Sequence, residues 1–332
     1  MSLKRECFSV VPGPFRRVSA PLDAVSRSWL MRSPSPYVDE ISRISRIAGE
    51  PGVWFVNASY EWGCTTRADD AGQPHLRRTL DWPLPGLGRY VEVALQDGGA
   101  GIYANVTWPG AVGVLTAVAP GRFGAAINQA PLYRRSSHRA LKPVDMALNA
   151  LGTWRDAEGW PPAHLLRHAF DTCGSYAEAV DLLVRTPLAR PTLFSVVGTR
   201  PGEACLVEHT QKSATVRHGT FTIANDWHPE GGRREGRWMP RGRHVGGVPD
   251  CEDRRASLDG YAARDPLGWV VEPVLGPLTR LAVEVTPATG ELRVVGYEAS
   301  GKGANAGPVT GTLWGTVSRS GFEAGGGRPE AA

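Results

Sequence analysis

Two neighbouring stretches, NASYEWGCTTRADD at residues 57–70 and HLRRTLDW at residues 75–82, decide how the chain is interpreted. Cys64 follows a glycine at the head of a segment in which polar and apolar residues alternate, as they do along a half-buried β-strand. Arg78 and Asp81 lie on a second short segment of the same kind. A strand, a tight turn and a returning strand would bring all three side chains to one end of a sheet.

A reactive role for Cys64 would need a thiolate, which at neutral pH requires a nearby positive charge or a base. Arg78 could supply the charge, and Asp81 could orient a proton-carrying group. None of the eight histidines stands in a motif that would pair it with Cys64. If the Gly63–Cys64 bond were cleaved, however, the new α-amino group of Cys64 would lie beside its own thiol and could act as the base. The simpler alternative is that Cys64 is an ordinary buried core thiol.

The composition is that of an ordinary folded protein. The 332 residues are 42% hydrophobic and 21% charged, with a net charge of +4, which gives no indication of nucleic-acid binding. The five cysteines are scattered and form no CxxC pair, so we expect no disulfide framework, no metal site and no other cofactor. No apolar run suits a signal peptide or a membrane span, so we expect no stable membrane insertion and a cytoplasmic location.

Strand-like and helix-like segments follow one another in blocks. From Cys64 to about residue 130, short runs separated by Gly, Pro and Asp predict an antiparallel meander. Helical segments follow, with Ser175 as a predicted N-cap, and strands then resume and end in a hairpin around PATG. The segment VWFVNASYEW (53–62) fits a strand or a helix equally well. Sheets with helices on their outer faces are expected, with a flexible C-terminal tail at residues 301–332.

Several motifs, in their order along the chain, resemble the acid ceramidase and N-acylethanolamine acid amidase group of N-terminal-nucleophile cysteine hydrolases, which are related to the choloylglycine hydrolases. YEWGCTT (60–66) is similar to the segment at which these proteins cleave themselves, and RRTLDW (77–82) to their Arg-x-x-Asp strand. The further matching segments are residues 108–133 with Asn128 and Gln129, residues 192–210, residues 221–228 with Asn225 and Asp226, and residues 252–260 with Asp253, Arg254 and Arg255.

The resemblance implies an α+β fold, a four-layer αββα sandwich. It also implies self-cleavage between Gly63 and Cys64. The expected parts are an N-terminal segment (1–63), a catalytic domain (64–300) and the tail, with the two cleaved fragments remaining associated. The implied activity is hydrolysis of a linear amide, of the N-acyl amine or acyl-amino-acid type, through a thioester on Cys64. The expected partner is a small-molecule amide with an apolar acyl group.

The resemblance also assigns roles to individual residues. Asn225 would stabilise the oxyanion, Arg78 and Asp81 would hold and tune the amine and thiol of Cys64, and Arg254 would brace the site or the acyl carbonyl. Substrate-binding or supporting roles would fall to a further group of residues: Asn128, Gln129, Trp82 and Asp226.

Two departures from the family pattern are evident. Gln129 is neutral where the family has an acidic residue, which leaves Arg78 or Arg254 with less charge compensation. Gly63 is smaller than the bulky residue often found before the nucleophile. Two other functions stay open: an acyltransferase that passes the acyl group to an amine or alcohol, and a non-catalytic binding protein on the same fold.

Three further features have both a structural and a functional interpretation. Trp62, Trp82, Trp108 and Trp227 lie near motif positions and could line an acyl pocket or simply fill the core. His164 and His168 are four residues apart on a predicted helix, where a solvated or capping role is more common than a metal pair. The arginine-rich residues 228–250 could be a solvated loop or a lid that attracts an acidic substrate.

Overall fold

Helices and strands alternate in blocks along the chain. The computed structural model describes residues 13–59, 62–133, 135, 141–155, 158–229, 238–239, 250–261, 265–301, 304–318 and 320–324. Its helices are α1 (Gly13–Leu30), α2 (Val38–Ala48), α3 (Val53–Ala58), α4 (Lys142–Arg155), α5 (Pro162–Thr172), α6 (Tyr176–Arg185) and α7 (Cys251–Asp259), with a 3-10 helix at Leu87–Tyr90. Its strands are β1 (Gly63–Asp69), β2 (His75–Asp81), β3 (Glu92–Gly98), β4 (Gly101–Thr107), β5 (Thr116–Ala119), β6 (Phe123–Gln129), β7 (Leu132–Tyr133), β8 (Thr192–Val197), β9 (Ala204–His209), β10 (Ala214–His218), β11 (Phe221–Ile223), β12 (Trp238–Met239), β13 (Thr279–Thr286), β14 (Glu291–Ala299), β15 (Ala306–Pro308), β16 (Leu313–Ser318) and β17 (Gly321–Ala324).

Two antiparallel sheets pack face to face at the centre of the molecule. In the first sheet the strand order is β11-β1-β2-β13-β14-β16-β17, with β15 beside β14; in the second it is β10-β9-β8-β6-β5-β4-β3. Helices α5 and α6 pack on the second sheet, and α7 packs on the first. The predicted αββα sandwich is therefore confirmed. No helix within the described ranges has both the length and the apolar character to cross a membrane.

The layer between the sheets is apolar and tightly packed. Strand β6 is buried at every position. A side chain built at Gly124 on this strand would begin 3.1 Å from Val285 of the opposing sheet, so glycine lets the two sheets approach closely there. Full burial of a large apolar side chain such as Phe123 contributes about 1.5–3 kcal/mol. The sum of many such contributions fixes the spacing between the sheets.

The strand register places the motif residues at one end of the first sheet. In the β1–β2 pair, Gly63 lies opposite Asp81 and Cys64 lies opposite Leu80. Strand β2 is flanked on its other side by β13, where Thr279 lies opposite Asp81. The end of β2 is therefore held from both sides, and the hairpin brings Cys64, Arg78 and Asp81 together as predicted.

The prediction of one continuous meander is wrong. The strands are antiparallel, but the chain leaves the first sheet after β2 and builds β3 to β6 in the second sheet. Pro83, Pro85 and Gly86 interrupt the chain at this crossing, before the 3-10 helix. Alternation of polar and apolar residues reports that a strand has one buried face, but not which sheet it joins.

The prediction that residues 301–332 form a flexible tail is also wrong for part of this range. Strands β15, β16 and β17 lie in this region, and β15 and β16 both pair with β14. The high glycine content suggested disorder, whereas β14 offers an edge whose backbone groups need partners. Residues 302–303, 319 and 325–332 lie outside the described residues.

Three local predictions are settled by the structure. The Ser175 hydroxyl accepts a hydrogen bond from the Glu178 amide at 3.3 Å, which confirms the N-cap of α6. The hairpin around PATG is the β13–β14 pair. In the ambiguous segment, Val53–Ala58 is helical, as α3, and residues 60–61 lie outside the described residues. Most of the arginine-rich region 228–250 lies outside the described residues.

The segment before Cys64 packs on the rest of the protein through both apolar and polar contacts. Trp29, Leu30, Tyr37, Ile41 and Trp54 form one apolar cluster with Val112 and Ala189. The Tyr37 hydroxyl donates to Asp171 at 2.6 Å. The Val112 amide donates to the Asn57 side chain at 2.7 Å. The backbone connection at residue 63 is therefore only one of many links between the segment and the main body.

His164 is buried where this segment meets α5. Its Nδ1 lies 2.8 Å from the Ser35 hydroxyl, and burial, together with the charge of Arg167, lowers the pKa of His164 from 6.5 to about 3. His168, one turn on, stacks on the ring of Trp160. No group of three His, Cys, Asp or Glu side chains in the described ranges could hold a metal ion. His164 is thus held in the interior by Ser35, and His168 packs on Trp160.

We predict that His164 makes the folded protein sensitive to acid. Because the native ring resists protonation and the unfolded ring does not, the unfolded state binds more protons between pH 6.5 and about 3. The free energy of unfolding should fall through this window by up to about 1.4 kcal/mol per pH unit. His164→Gln, which can still bond Ser35, should flatten this acid limb in urea unfolding measured at pH 4.5 to 7.5.

The control for this measurement is His218→Gln, since the His218 ring is exposed. It should leave the wild-type dependence on pH in place. An equal slope in wild type and His164→Gln would assign the acid sensitivity to other groups.

Candidate active site

Cys64 lies on the buried face of β1, between the two sheets. Its side chain has no exposed surface. The sulfur is 3.0 Å from Nη2 of Arg78 and 3.7 Å from the carbonyl oxygen of Ile127 on the opposing sheet. The strand pairing with β2 fixes the two backbones, and the hydrogen bonds of Arg78 to the opposing sheet hold its guanidinium beside the thiol.

Arg78 is a fully buried cation whose other partners are neutral. Nη1 donates to the carbonyl of Leu115 at 3.0 Å and to the hydroxyl of Thr116, and Nη2 donates to the carbonyl of Ile127 at 2.9 Å. In the described part of the chain, no carboxylate lies within 4.0 Å of its nitrogens. A buried charge is costly unless it is paired. Among its described partners, only the Cys64 thiol can become an anion to pair with this guanidinium.

Asn225, just after β11, holds the main chain on both sides of the Gly63–Cys64 peptide. Its Oδ1 accepts the Cys64 amide hydrogen at 2.8 Å. Its Nδ2 donates to the carbonyl of Trp62 at 3.2 Å and to the carbonyl of Gln129 at 2.9 Å. The side-chain amide therefore lies within hydrogen-bonding reach of the residues that flank this peptide.

Arg254 approaches the same point from α7. Its Nη1 donates to the Cys64 carbonyl at 2.8 Å and to the Thr65 hydroxyl at 3.1 Å. Its Nη2 donates to Oδ1 of Asn225 at 3.0 Å and to the sulfur of Cys251 at 3.5 Å. Burial raises the pKa of the Cys251 thiol, while the Arg254 charge opposes that shift. Arg254 thus ties the main chain of Cys64 to the amide of Asn225.

Asp81 contributes a carboxylate to this arrangement. Its Oδ1 accepts from the Thr279 hydroxyl at 2.8 Å, and its Oδ2 lies 3.5 Å from Nη1 of Arg254. Asp81 also lies close to Gly63. A Cβ atom added to Gly63 would be 3.0 Å from Cβ and 3.1 Å from Oδ2 of Asp81. Glycine is therefore the residue that fits beside Asp81.

The remaining predicted residues surround this centre. Asn128 joins the sheets, accepting from the Thr66 hydroxyl at 2.7 Å and donating to the carbonyl of Ala224 at 2.9 Å. Asp226 accepts from the Trp227 amide at 2.8 Å, which shapes the turn after Asn225. Gln129 is buried, and its backbone carbonyl binds Asn225. These contacts support the position of Asn225.

Three buried tryptophan rings contact one another in a row next to the site. Trp62 and Trp82 meet edge to face with ring centres 5.9 Å apart, and Trp82 and Trp108 do the same at 5.9 Å. The Trp108 ring nitrogen donates to the Leu87 carbonyl, which fixes its orientation. Trp62 immediately precedes Gly63, so this row of tryptophan rings begins beside the Gly63–Cys64 peptide.

Four residues of the site were not predicted from the sequence: Thr65 and Thr116, which lie inside matched segments, and Cys251 and Thr279, which lie outside them. Thr65, Thr116 and Thr279 bond site residues that come from other strands or helices, and Cys251 contacts Arg254 one turn along the same helix, so the tertiary structure is needed to identify these contacts. A cavity of about 530 Å³ lies apart from Cys64, and its lining includes Leu132, Tyr133, Asn149, Arg190 and Gln211 but none of the predicted site residues.

We predict that Arg78→Lys lowers the free energy of unfolding by about 2–5 kcal/mol. A lysine ammonium cannot bond all the acceptors that the guanidinium bonds at once, so buried carbonyl groups lose their donors. Urea unfolding should be measured in a Cys64→Ala background, so that the compared proteins are single uncut chains.

Arg77→Lys is the matched control. Arg77 is the next residue on β2, faces the other way and makes only partly exposed ion pairs at 3.8 and 3.9 Å, so its change should be below about 1 kcal/mol. Equal effects at both positions would contradict the role assigned to the buried guanidinium.

Comparisons with known proteins support the family resemblance. No protein-family model matches the chain. The chain is 24% identical over 217 residues to a probable acid ceramidase of Caenorhabditis elegans; the match covers 58% of this chain and 52% of that relative. The chain thus spans about half the length of the curated relative that it matches.

Among solved structures, the fold is similar to an N-acylethanolamine-hydrolysing acid amidase orthologue of Caenorhabditis elegans, with a TM-score of 0.50, 20% identity and coverage of 68% of this chain and 92% of that one. A conjugated bile acid hydrolase mutant from Clostridium perfringens has a TM-score of 0.44 and 10% identity, and the match covers 74% of this chain and 92% of that one. A penicillin V acylase from Agrobacterium tumefaciens has a TM-score of 0.44 and 13% identity, and the match covers 76% of this chain and 86% of that one. The chain is similar in sequence to a probable acid ceramidase and has the fold of an N-acylethanolamine-hydrolysing acid amidase orthologue.

Proposed function

We propose that the chain is a self-processing cysteine amidase that hydrolyses a linear amide through a thioester on Cys64. The sequence relative is a probable acid ceramidase, and the structural relative is described as hydrolysing N-acylethanolamines. Both similarities are low and the first is partial, so the case for this chain depends mainly on the geometry around Cys64.

The observation that carries the proposal is the contact between Cys64 and Arg78. A thiol with no functional role gains little from a buried guanidinium, and the guanidinium lacks a carboxylate partner within the described residues. A thiolate at Cys64 completes the pair and is the form that attacks carbonyl groups. The two groups therefore make sense together as an activated nucleophile.

Self-cleavage follows from the same sulfur acting on its own chain. The Cys64 sulfur attacks the Gly63 carbonyl carbon, the Gly63–Cys64 C–N bond breaks, and a proton passes to the nitrogen as the acyl group moves to sulfur. Water then hydrolyses this thioester and leaves a carboxylate on Gly63 and a free amine on Cys64. Asp81 and Arg254, which lie beside Gly63 and the Cys64 carbonyl, hold the peptide for this step.

Cleavage also frees a donor for the next reaction. In the uncut chain, Nδ2 of Asn225 binds the Trp62 carbonyl. When this segment withdraws from the site, that hydrogen can bind the oxyanion of a tetrahedral intermediate instead. Oδ1 still accepts from Cys64 and Arg254, which keeps the amide in its orientation.

Turnover then uses Cys64 twice. The thiolate attacks the amide carbonyl of the substrate, and the α-amine of Cys64 carries a proton to the leaving amine. Water hydrolyses the thioester and releases the acid. Arg78 balances the charge on sulfur, and Arg254 and Asp81 fix the main chain that carries the amine.

The contacts of the N-terminal segment support the proposal that the two fragments stay associated. Arg167 forms an ion pair with Glu40 at 2.9 Å, in addition to the apolar cluster and the Asn57 and Tyr37 hydrogen bonds. Glu40 and Tyr37 lie more than 20 residues before the proposed cut, and Asn57 lies six residues before it. Residues 1–63 would therefore remain a subunit of the mature protein.

We predict that purified protein contains two chains broken between Gly63 and Cys64. Intact mass under denaturing conditions should give two fragments whose masses sum to that of the chain plus water, and Cys64→Ala should give one uncut chain. The two fragments should elute together in native size-exclusion chromatography. A single uncut chain in wild type would remove the α-amine from the mechanism.

We predict that Asn225→Ala lowers kcat by about 10²–10³-fold, because the oxyanion loses a preorganised donor. The measurement is single-turnover hydrolysis of a fluorogenic N-acyl amide by protein that has already been cleaved. Asn149→Ala, which alters an exposed bonded amide on α4, is the control and should retain near wild-type rates. An unchanged rate in Asn225→Ala would assign the oxyanion to other donors.

A further inference from the structure

The Trp62–Gly63 segment occupies the space that a substrate's acyl group must use. This inference rests on the proposed function, in which one sulfur attacks first the Gly63 carbonyl and later the substrate carbonyl. The sulfur is held by its strand and by Arg78, so both carbonyls must come to nearly the same place. The atoms on the acyl side of the Gly63 carbonyl are its own Cα and then Trp62.

We propose that the acyl subsite excludes a methyl group on the α-carbon where it would take the place of an L side chain at residue 63, and that Asp81 is the residue that imposes this limit. In the uncut chain, the Gly63 Cα stands where the substrate's α-carbon will be. A methyl group added there would lie 3.0 Å from Cβ and 3.1 Å from Oδ2 of Asp81. That spacing is closer than carbon and oxygen atoms ordinarily pack.

Asp81 is not free to move away from such a group. Its Oδ1 is bonded by Thr279, whose hydroxyl in turn accepts from the Gly276 amide at 2.9 Å. Its Oδ2 faces Arg254. Its backbone belongs to β2, which is paired on one side with β1 and on the other with β13. Both the side chain and the main chain are therefore fixed, and the methyl group must be excluded instead.

Further from the carbonyl, the subsite favours an apolar group of aromatic size. The indole of Trp62 begins about six covalent bonds from the Gly63 carbonyl carbon. It is only 3% exposed and meets Trp82 edge to face. An aryl group at the same distance along an acyl chain can make the same edge-to-face contact with Trp82 once Trp62 has left. The predicted substrates are amides of straight acyl chains of medium length with an apolar or aryl end.

The test acylates Cys64 directly, so that it does not depend on amide turnover. Cleaved wild-type protein is treated with 4-nitrophenyl esters of three acids: 6-phenylhexanoic acid, the enantiomer of its 2-methyl derivative whose methyl group is placed as in an L residue, and its 3-methyl derivative. The ester C–O bond breaks, nitrophenolate leaves and a thioester forms on Cys64. The release of nitrophenolate reports the acylation rate, which is divided by the rate of each ester with N-acetylcysteine, and the mass of the fragment that begins at Cys64 shows which fragment is acylated.

The 2-methyl ester should acylate Cys64 at least about tenfold more slowly than the straight ester, as expected when a methyl group is forced into occupied space. The 3-methyl ester, whose branch lies beyond Asp81, should stay within about threefold. Equal normalised rates for the 2-methyl and 3-methyl esters would overturn the proposal, as would the absence of acylation by every ester.

Hydrolysis of amides that carry the same acyl groups on 7-amino-4-methylcoumarin is measured alongside, which tests the proposed function separately from this inference. Preference for the straight ester without turnover of any amide would retain the acyl subsite and reject the amidase. In Trp82→Leu, the ratio of 6-phenylhexanoyl to hexanoyl acylation should fall severalfold, and an unchanged ratio would reject the aromatic part of the subsite.

A second measurement needs no substrate. Gly63→Ala should slow self-cleavage by about tenfold, because its methyl group meets Asp81 in the uncut chain. Ser59→Ala, which changes a residue four positions earlier, is the control and should cleave at the wild-type rate. Cleavage of Gly63→Ala at the wild-type rate would show that Asp81 gives way and would overturn the proposal.

Discussion

A buried guanidinium at the centre of the sandwich is the constraint on which the site depends. Arg78 starts on one sheet, and its nitrogens reach Leu115, Thr116 and Ile127 on the other, so it joins the layers as well as contacting Cys64. Burial of this charge is offset by the acceptors that both of its terminal nitrogens find. Sheet packing and site chemistry are therefore set by the same side chain, and neither can change alone.

The parts of the site that lie close in sequence could be predicted, and the parts supplied by distant elements could not. Cys64, Arg78 and Asp81 belong to one hairpin, so strand geometry alone brings them together. Asn225 was identified only by a resemblance to known sequences. Thr279 was not identified at all, because a threonine on a buried strand has no pattern that distinguishes a site residue from a core residue. The same limit explains the fold errors: alternation identified the strands, but neither their sheet nor the pairing of β16 with β14.

The departure at Gly63 acquires a physical meaning from the structure. In sequence it is only a small residue where a larger one is common. In the fold it is the position at which Asp81, held by Thr279 and Arg254, leaves no room for a side chain. The departure at Gln129 is different in kind: its backbone carbonyl supports Asn225, while Arg78 is left without an acidic partner in the described residues and faces the thiol instead.

The contacts between the N-terminal segment and the main body have a consequence for the lifetime of the folded protein. While the chain is continuous, Tyr37, Asn57 and Glu40 return to their partners after any local opening, because the linkage at residue 63 keeps them at a high effective concentration. Once that linkage is cut, the same contacts must form between two molecules, and a fragment that escapes is diluted into solution. The mature protein would then persist because its unfolding is slow, not because refolding restores it, and its durability would be a matter of kinetics.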